Sequence, residues 1–294
     1  MLICALYSSV QAGEQDYLDE SYSDIKQYKI LLKEGKFNEA LTQKNHIIQK
    51  IKINVPESKR SWFYMRVYTS ILPMIREDAS QKLKDKYVEI VISGLNDPQM
   101  HVEEKNRLAK GLIKIAKISK DDLGPESEKE LLKAFNDKTA TNRFFLELVY
   151  LIESQSVVDY IEAESKKNIP SITKFAETPE WGARLLLAQN NKYEVKKILA
   201  ILESSQDLYK VTVLFDDLKN IKSVDVVNYL KQYLFSDKKL PGLKPTVPRE
   251  PIARRAALVL GEMLIGFPQG NYYDMKDIEK ARDWINKQNA FIFR

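Results

Sequence analysis

Residues 181–204 read WGARLLLAQNNKYEVKKILAILES, and their pattern indicates the fold class of the chain. The first part is rich in leucine and small residues, and the polar pair Asn190 and Asn191 interrupts it. Apolar residues then return at helical spacing, at Val195, Ile198, Leu199 and Leu202. The pattern predicts two short helices joined by a polar turn, with no chemically reactive group between them. Since such a hairpin cannot bury both of its faces alone, it must pack against similar hairpins.

Comparable units follow toward the C-terminus. Residues 208–237 and 249–288 repeat the order of helix, turn and helix, and small residues such as Gly182 and Gly261 allow close helix contact. In these features residues 87–290 resemble HEAT repeats. The resemblance implies an all-α fold, a right-handed α-solenoid of stacked antiparallel helical hairpins with a long surface for binding another macromolecule.

The string LLKEGKFNEAL contains an earlier interhelical turn. We expect Gly35 to adopt the left-handed conformation that ends a helix. The string resembles the turn of a tetratricopeptide repeat, with Gly35, Phe37 and Ala40 at the positions used for the turn, the packing aromatic residue and the close helix contact. The resemblance implies tetratricopeptide-like hairpins over residues 13–86, followed by HEAT-like repeats over residues 87–294.

The charges argue against a nucleic-acid-binding protein. The chain has 46 basic and 41 acidic residues, which leaves a net charge of +5. The two signs alternate along most of the chain, as on a solvated helix surface, whereas nucleic-acid-binding proteins concentrate basic residues on one face. No stretch approaches the roughly 20 apolar residues of a transmembrane helix.

The N-terminus suggests export from the cytoplasm. Residues Leu2 to Val10 form a short apolar run, and small residues precede Gly13, so we predict a signal peptide over residues 1–12 and a periplasmic or extracellular protein. The alternative is an apolar first helix. Cys4 is the only cysteine, so the cleaved chain would have no disulfide and no thiol chemistry.

Two segments invite an interpretation as binding sites. Trp62, Phe63, Tyr64 and Tyr68 form an aromatic cluster, but their helical spacing favours core packing over a ligand platform. Residues 240–251 contain four prolines, which favour a stiff connection over a polyproline ligand.

The sequence carries little sign of catalysis. His46 and His101 lie far apart, and no zinc, nucleophile-elbow or phosphate-loop motif accompanies them. We therefore predict no cofactor and no metal. Three pairs of adjacent acidic residues leave open a carboxylate-dependent hydrolase of polysaccharides, but neighbours on a helix point about 100° apart and do not face each other. These pairs are Glu103 with Glu104, Asp121 with Asp122, and Asp216 with Asp217.

The interpretation that best fits the sequence is a non-catalytic helical-repeat scaffold that binds another protein or macromolecule, expected to be an unidentified protein, through a groove or edge. Arg184, Lys192 and Asp217 are the polar residues predicted to contact that partner. A self-associating envelope subunit is a further alternative, and the oligomeric state stays open. The apolar end, residues 291–293, is predicted to cap the last helices or, alternatively, to adhere to a neighbouring molecule.

Overall fold

Helices form almost all of the regular structure in the computed structural model, which describes residues 23–77, 80–167, 178–205, 207–240 and 250–294. Within these ranges there is no β-strand, only isolated bridges that pair Lys239 with Pro251 and Leu264 with Phe293. The all-α fold class is therefore confirmed. The proposed signal peptide, residues 1–12, and most of the proline-rich connection lie outside the described residues.

The chain divides into two compact units, Met1–Val158 and Asp159–Arg294, and the boundary falls inside the ninth helix. The change from tetratricopeptide-like to HEAT-like repeats near residue 87 concerns the type of repeat, and it stays a prediction.

The helices of unit 1 are α1 (23–33), α2 (Phe37–Asn54), α3 (Glu57–Thr69), α4 (Leu72–Arg76), α5 (Gln81–Ser93), α6 (Val102–Gly111), α7 (Pro125–Asn136) and α8 (Arg143–Tyr150), followed by α9 (Gln155–Ser165) across the boundary. Those of unit 2 are α10 (Pro179–Ala188), α11 (Lys192–Glu203), α12 (Leu208–Val213), α13 (Phe215–Leu218), α14 (Val224–Leu234), α15 (Ile252–Met263) and α16 (Met275–Asn286).

In unit 1, helices that are not adjacent in the sequence pack against each other. Helix α3 contacts α6, α6 contacts α8, and α5 contacts α7. Two glycines allow close approach, because a Cβ at Gly111 would lie 2.5 Å from Leu72 and one at Gly94 would lie 2.9 Å from the ring of Tyr68. A larger side chain at Gly94 would therefore meet the ring of Tyr68, and one at Gly111 would have to displace the side chain of Leu72.

The turn between α1 and α2 has the predicted conformation. Gly35 has a φ of +71°, in the left-handed region, and its N–H donates to the carbonyl of Leu32 at 3.0 Å. A side chain at this backbone angle is strained because its Cβ approaches the following carbonyl oxygen.

We expect Gly35→Ala to lower the free energy of unfolding by about 1–2 kcal/mol, since alanine tolerates this angle poorly. Urea denaturation followed by circular dichroism measures the change. Gly124→Ala is the matched control, because Gly124 has a φ of −83° and nothing lies within 4 Å of a Cβ there. The control should change stability by no more than about 0.5 kcal/mol, and an equal loss in both variants would contradict the role assigned to Gly35.

In unit 2, the helical hairpin predicted for residues 181–204 is confirmed. Helices α10 and α11 pack against each other across the turn at Gln189 to Asn191. Asn191 is the N-cap of α11, and its side chain accepts a hydrogen bond from the backbone N–H of Tyr193 at 2.9 Å. The polar turn therefore acts as the start signal of the second helix, as N-cap residues do.

The last predicted unit differs from a simple order of helix, turn and helix. Arg254, in the first turn of α15, donates from Nε to the carbonyl oxygen of Asn271 at 3.1 Å and lies 3.9 Å from the ring centre of Tyr273. Helix α16 thus begins beside the N-terminal end of α15. The connection, residues 264–274, runs back along α15 and replaces the tight turn.

The C-terminal residues pack against the end of α15. Phe293 pairs with Leu264, and the N–H of Ile265 donates to the carbonyl of Ile292 at 2.9 Å. Phe291 and Phe293 pack against the core of unit 2, whereas Ile292 remains 68% exposed. The predicted cap is confirmed for the two phenylalanines.

Candidate functional site

The three residues predicted to bind a partner lie in unit 2, in different environments. Lys192 is exposed at the start of α11. Arg184, on α10, is half-buried and donates from its guanidinium group to the carbonyl oxygen of Lys167 at 3.1 Å. Asp217, on α13, is also half-buried, and its carboxylate accepts a hydrogen bond from the indole Nε1 of Trp181 at 3.0 Å. The structure therefore does not bring the three together as one exposed group, and their role in binding stays a prediction.

The contact between Asp217 and Trp181 is structural. Trp181 is 0% exposed and belongs to the core of unit 2. A buried indole N–H needs an acceptor, because leaving it unpaired costs about 1–3 kcal/mol. Asp217 supplies that acceptor from a helix that is distant in sequence.

The other acidic pairs also engage neighbouring groups. Asp122 accepts hydrogen bonds from the backbone N–H and the hydroxyl of Ser119, both at 2.8 Å. Glu104 accepts one from the hydroxyl of Ser61 at 2.9 Å. Asp216 lies 3.5 Å from the ammonium of Lys219. Each of these carboxylates has a capping or ion-pairing partner, as expected for structural residues.

The two histidines, His46 and His101, are both exposed. In the ranges that the structure describes, no three histidine, cysteine, aspartate or glutamate side chains come close enough to hold a metal ion. Nor does any described helix have the length and apolar character needed to cross a membrane.

The aromatic cluster at residues 62–68 is divided between the core and the surface. Tyr64 and Tyr68 are buried, which confirms core packing for these two. Trp62 and Phe63 are half-buried and meet edge to face, with ring centres 5.0 Å apart. Arg66 covers the ring of Trp62 at 4.7 Å.

A polar cluster in unit 1, formed by Lys44, Tyr68, Asp97 and Lys105, was not predicted from the sequence. The hydroxyl of Tyr68 donates to Oδ2 of Asp97 at 2.8 Å, and the ammonium of Lys44 lies 4.4 Å from the ring centre of Tyr68. Lys105, on α6, is only 7% exposed. We call this group the lysine cluster.

Burial and the charge of Asp97 act on the pKa values of the lysines and the tyrosine in this cluster. Burial lowers the pKa of both Lys44 and Lys105, and the negative charge of Asp97 opposes that change in each. Burial also raises the pKa of the Tyr68 hydroxyl, and Asp97 raises it further, so this tyrosine keeps its proton and donates a hydrogen bond to Asp97.

The sequence does contain a signal for the lysine cluster. Lys105 precedes the buried residues Leu108 and Ala109 by one helical turn, and Lys44 precedes the buried Ile47 in the same way. Both lysines therefore occupy positions on the apolar stripe of a helix, where charged residues are rare unless they have a partner or a function.

Comparison with known proteins gives no relative. No family model matches the chain, and no curated protein or solved structure matches it. Functional inference therefore rests on the residues and their geometry.

Proposed function

We propose that this chain is a non-catalytic helical-repeat scaffold that binds another protein through a groove or edge formed by its helices. The observation that carries the proposal is the packing of helices that are not adjacent in the sequence of unit 1: α3 packs against α6, α6 against α8, and α5 against α7. Such packing is typical of stacked helical hairpins. We accordingly propose a right-handed α-solenoid arrangement, whose rows of helices offer long binding surfaces.

The hydrogen bonds that the acidic residues accept favour a scaffold over a carboxylate-dependent hydrolase. A glycosidase needs two carboxyl groups that face each other across a sugar, about 5 Å or about 6.5–9.5 Å apart. Asp217 instead accepts a hydrogen bond from the indole N–H of the buried Trp181, and Asp122 caps a helical turn through Ser119. Both carboxylates are held in structural hydrogen bonds.

We also propose that the partner is a protein of the cell envelope or the exterior. The apolar run from Leu2 to Val10 supports export, and the alternation of charges supports a protein partner over a nucleic acid. A self-associating envelope subunit is the second candidate, and the exposed Ile292 beside the exposed Ile265 favours it as a point of contact between copies.

The contact surface that we propose centres on the start of α11. Tyr193 is 66% exposed, and the ammonium of Lys197 lies 4.4 Å from its ring centre. The adjacent Lys192 is exposed as well. Tyrosines with large exposed rings are enriched among the residues that contribute most to protein binding.

The double variant Lys192→Ala/Tyr193→Ala is expected to recover at least about fivefold less partner than the wild type, a loss of roughly 1 kcal/mol or more in binding free energy. The measurement is affinity capture with the tagged chain from a native cell-envelope extract, quantified by mass spectrometry. Lys196→Ala is the matched control. Lys196 is an exposed lysine on the same helix, and no aromatic residue stands directly beside it in the sequence. If the double variant recovers as much partner as the wild type, the start of α11 is not part of the binding surface.

A further inference from the structure

One segment of unit 1 has charged residues of a single sign. From Lys105 to Lys120 the sequence contains six basic residues and no acidic residue, whereas the two signs alternate along most of the chain. Four of the six recur three or four positions apart, along α6 and the wider helical turn Leu112–Ala116 that follows it. All four are exposed, and we call them the basic stripe: Arg107, Lys110, Lys114 and Lys117.

Phe144 of α8 holds the middle of the basic stripe. The ammonium groups of Lys110 and Lys114 lie 5.3 and 5.7 Å from the centre of its ring. The guanidinium of Arg143 lies 4.5 Å from the same centre. Cationic groups from two parts of the chain therefore converge on one buried ring, which attracts them through its π face.

The charge of the basic stripe is accessible from outside. Lys114 and Lys117 form no ion pair with any residue in the ranges that the structure describes. Arg107 lies 3.7 Å from the carboxylate of Glu104, and its side chain is still 60% exposed. A negatively charged partner can therefore approach Lys114 and Lys117 without breaking a salt bridge.

We propose that the basic stripe is a docking site for an acidic segment of a partner protein, rich in aspartate or glutamate. Complementary charge of this kind speeds association and orients the partner. At 1.5 Å per helical residue, the stripe is about 15 Å long. An extended segment of about five residues covers that length.

Two features of the basic stripe favour a protein segment over a nucleic acid. Ile115, beside Lys114 in the sequence, is 51% exposed and offers an apolar contact that a phosphate backbone cannot use. Residues 105–120 contain no aromatic side chain on which a base could stack, and the ring of Phe144 is buried. The basic stripe is a second surface, and it does not depend on the contact proposed at the start of α11.

The test titrates the full chain with a fluorescently labelled glutamate-rich peptide at low ionic strength, and fluorescence anisotropy measures binding. We expect binding that weakens as sodium chloride is added, because salt screens exposed charges. Labelled duplex DNA and vesicles containing phosphatidylserine are titrated in parallel. The proposal is wrong if the peptide does not bind, or if the DNA or the vesicles bind more tightly than the peptide does.

The double variant Lys114→Gln/Lys117→Gln should weaken peptide binding at least about fivefold, because it removes two exposed charges from the basic stripe. Lys82→Gln/Lys133→Gln is the matched control, since it removes two charges from exposed positions on α5 and α7. The control should bind within about twofold of the wild type. All four positions are exposed, so neither double variant should change the melting temperature appreciably.

Two results with these variants would contradict the proposal. Equal weakening by both double variants would show a general effect of net charge, and wild-type affinity in the stripe variant would exclude the stripe. Lys192→Ala/Tyr193→Ala should bind the peptide as the wild type does, so the basic stripe and the surface at α11 are tested separately.

Discussion

Trp181→Ala is expected to lower the free energy of unfolding by about 3–5 kcal/mol, the range measured when a large buried aromatic is truncated. Trp181 is completely buried at the start of α10, and its indole N–H is held by the carboxylate of Asp217. The substitution removes the packing of the ring and the hydrogen bond together. Urea denaturation followed by far-ultraviolet circular dichroism gives the change.

Trp181→Phe separates packing from hydrogen bonding. Phenylalanine keeps most of the buried ring but cannot donate to Asp217, so this variant should lose only about 1–2 kcal/mol. A loss for Trp181→Ala below about 1 kcal/mol would mean that the ring is not in the core. Asp217 would then not be needed as its acceptor and could contact a partner.

A comparable loss is expected in unit 1 from Phe144→Ala, about 3–5 kcal/mol. Phe144 is 2% exposed in α8, and cationic groups surround its ring. The guanidinium of Arg143 lies 4.5 Å from the ring centre, and the ammonium groups of Lys110 and Lys114 lie at 5.3 and 5.7 Å. The ring thus supports the contact between α6 and α8 by packing and by cation–π attraction.

Phe144→Leu is the control for this prediction. Leucine fills most of the space but has no π face, so the loss should be smaller, about 1–2 kcal/mol. Both variants are compared with the wild type by urea denaturation. Equal losses from alanine and leucine would contradict a dominant packing role for Phe144.

The elements that the sequence predicted well are those set by neighbouring residues. The turn at Gly35 requires a left-handed residue, and Asn191 caps the helix that it precedes, so a few adjacent positions contain the necessary information. The hairpin at residues 181–204 follows from its own periodicity. These features depend on local backbone geometry and on the spacing of apolar residues.

The features that were not predicted depend on contacts between distant parts of the chain. Asp217 was predicted to contact a partner, but its carboxylate accepts the hydrogen bond of the buried Trp181 from another helix. Similarly, the hydrogen bond from Arg254 to Asn271 joins α15 to a residue of the 264–274 connection that is 17 positions away. Periodicity within one segment contains no information about such pairings.

The lysine cluster shows how a candidate site can be present in the sequence without being recognised. Lys44 and Lys105 each interrupt an apolar stripe, and that interruption can be read in the sequence. The contact of Lys44 with Tyr68 cannot, because it requires the packing of α3 against α2.

The central claim is that the chain works by binding another protein. The measurement that tests it most directly is chemical cross-linking of the captured complex from a native cell-envelope extract, with the linked lysines identified by mass spectrometry. We predict one reproducible partner, cross-linked through Lys192 and lysines near it. Recovery of a folded, monomeric chain with no partner would contradict the claim.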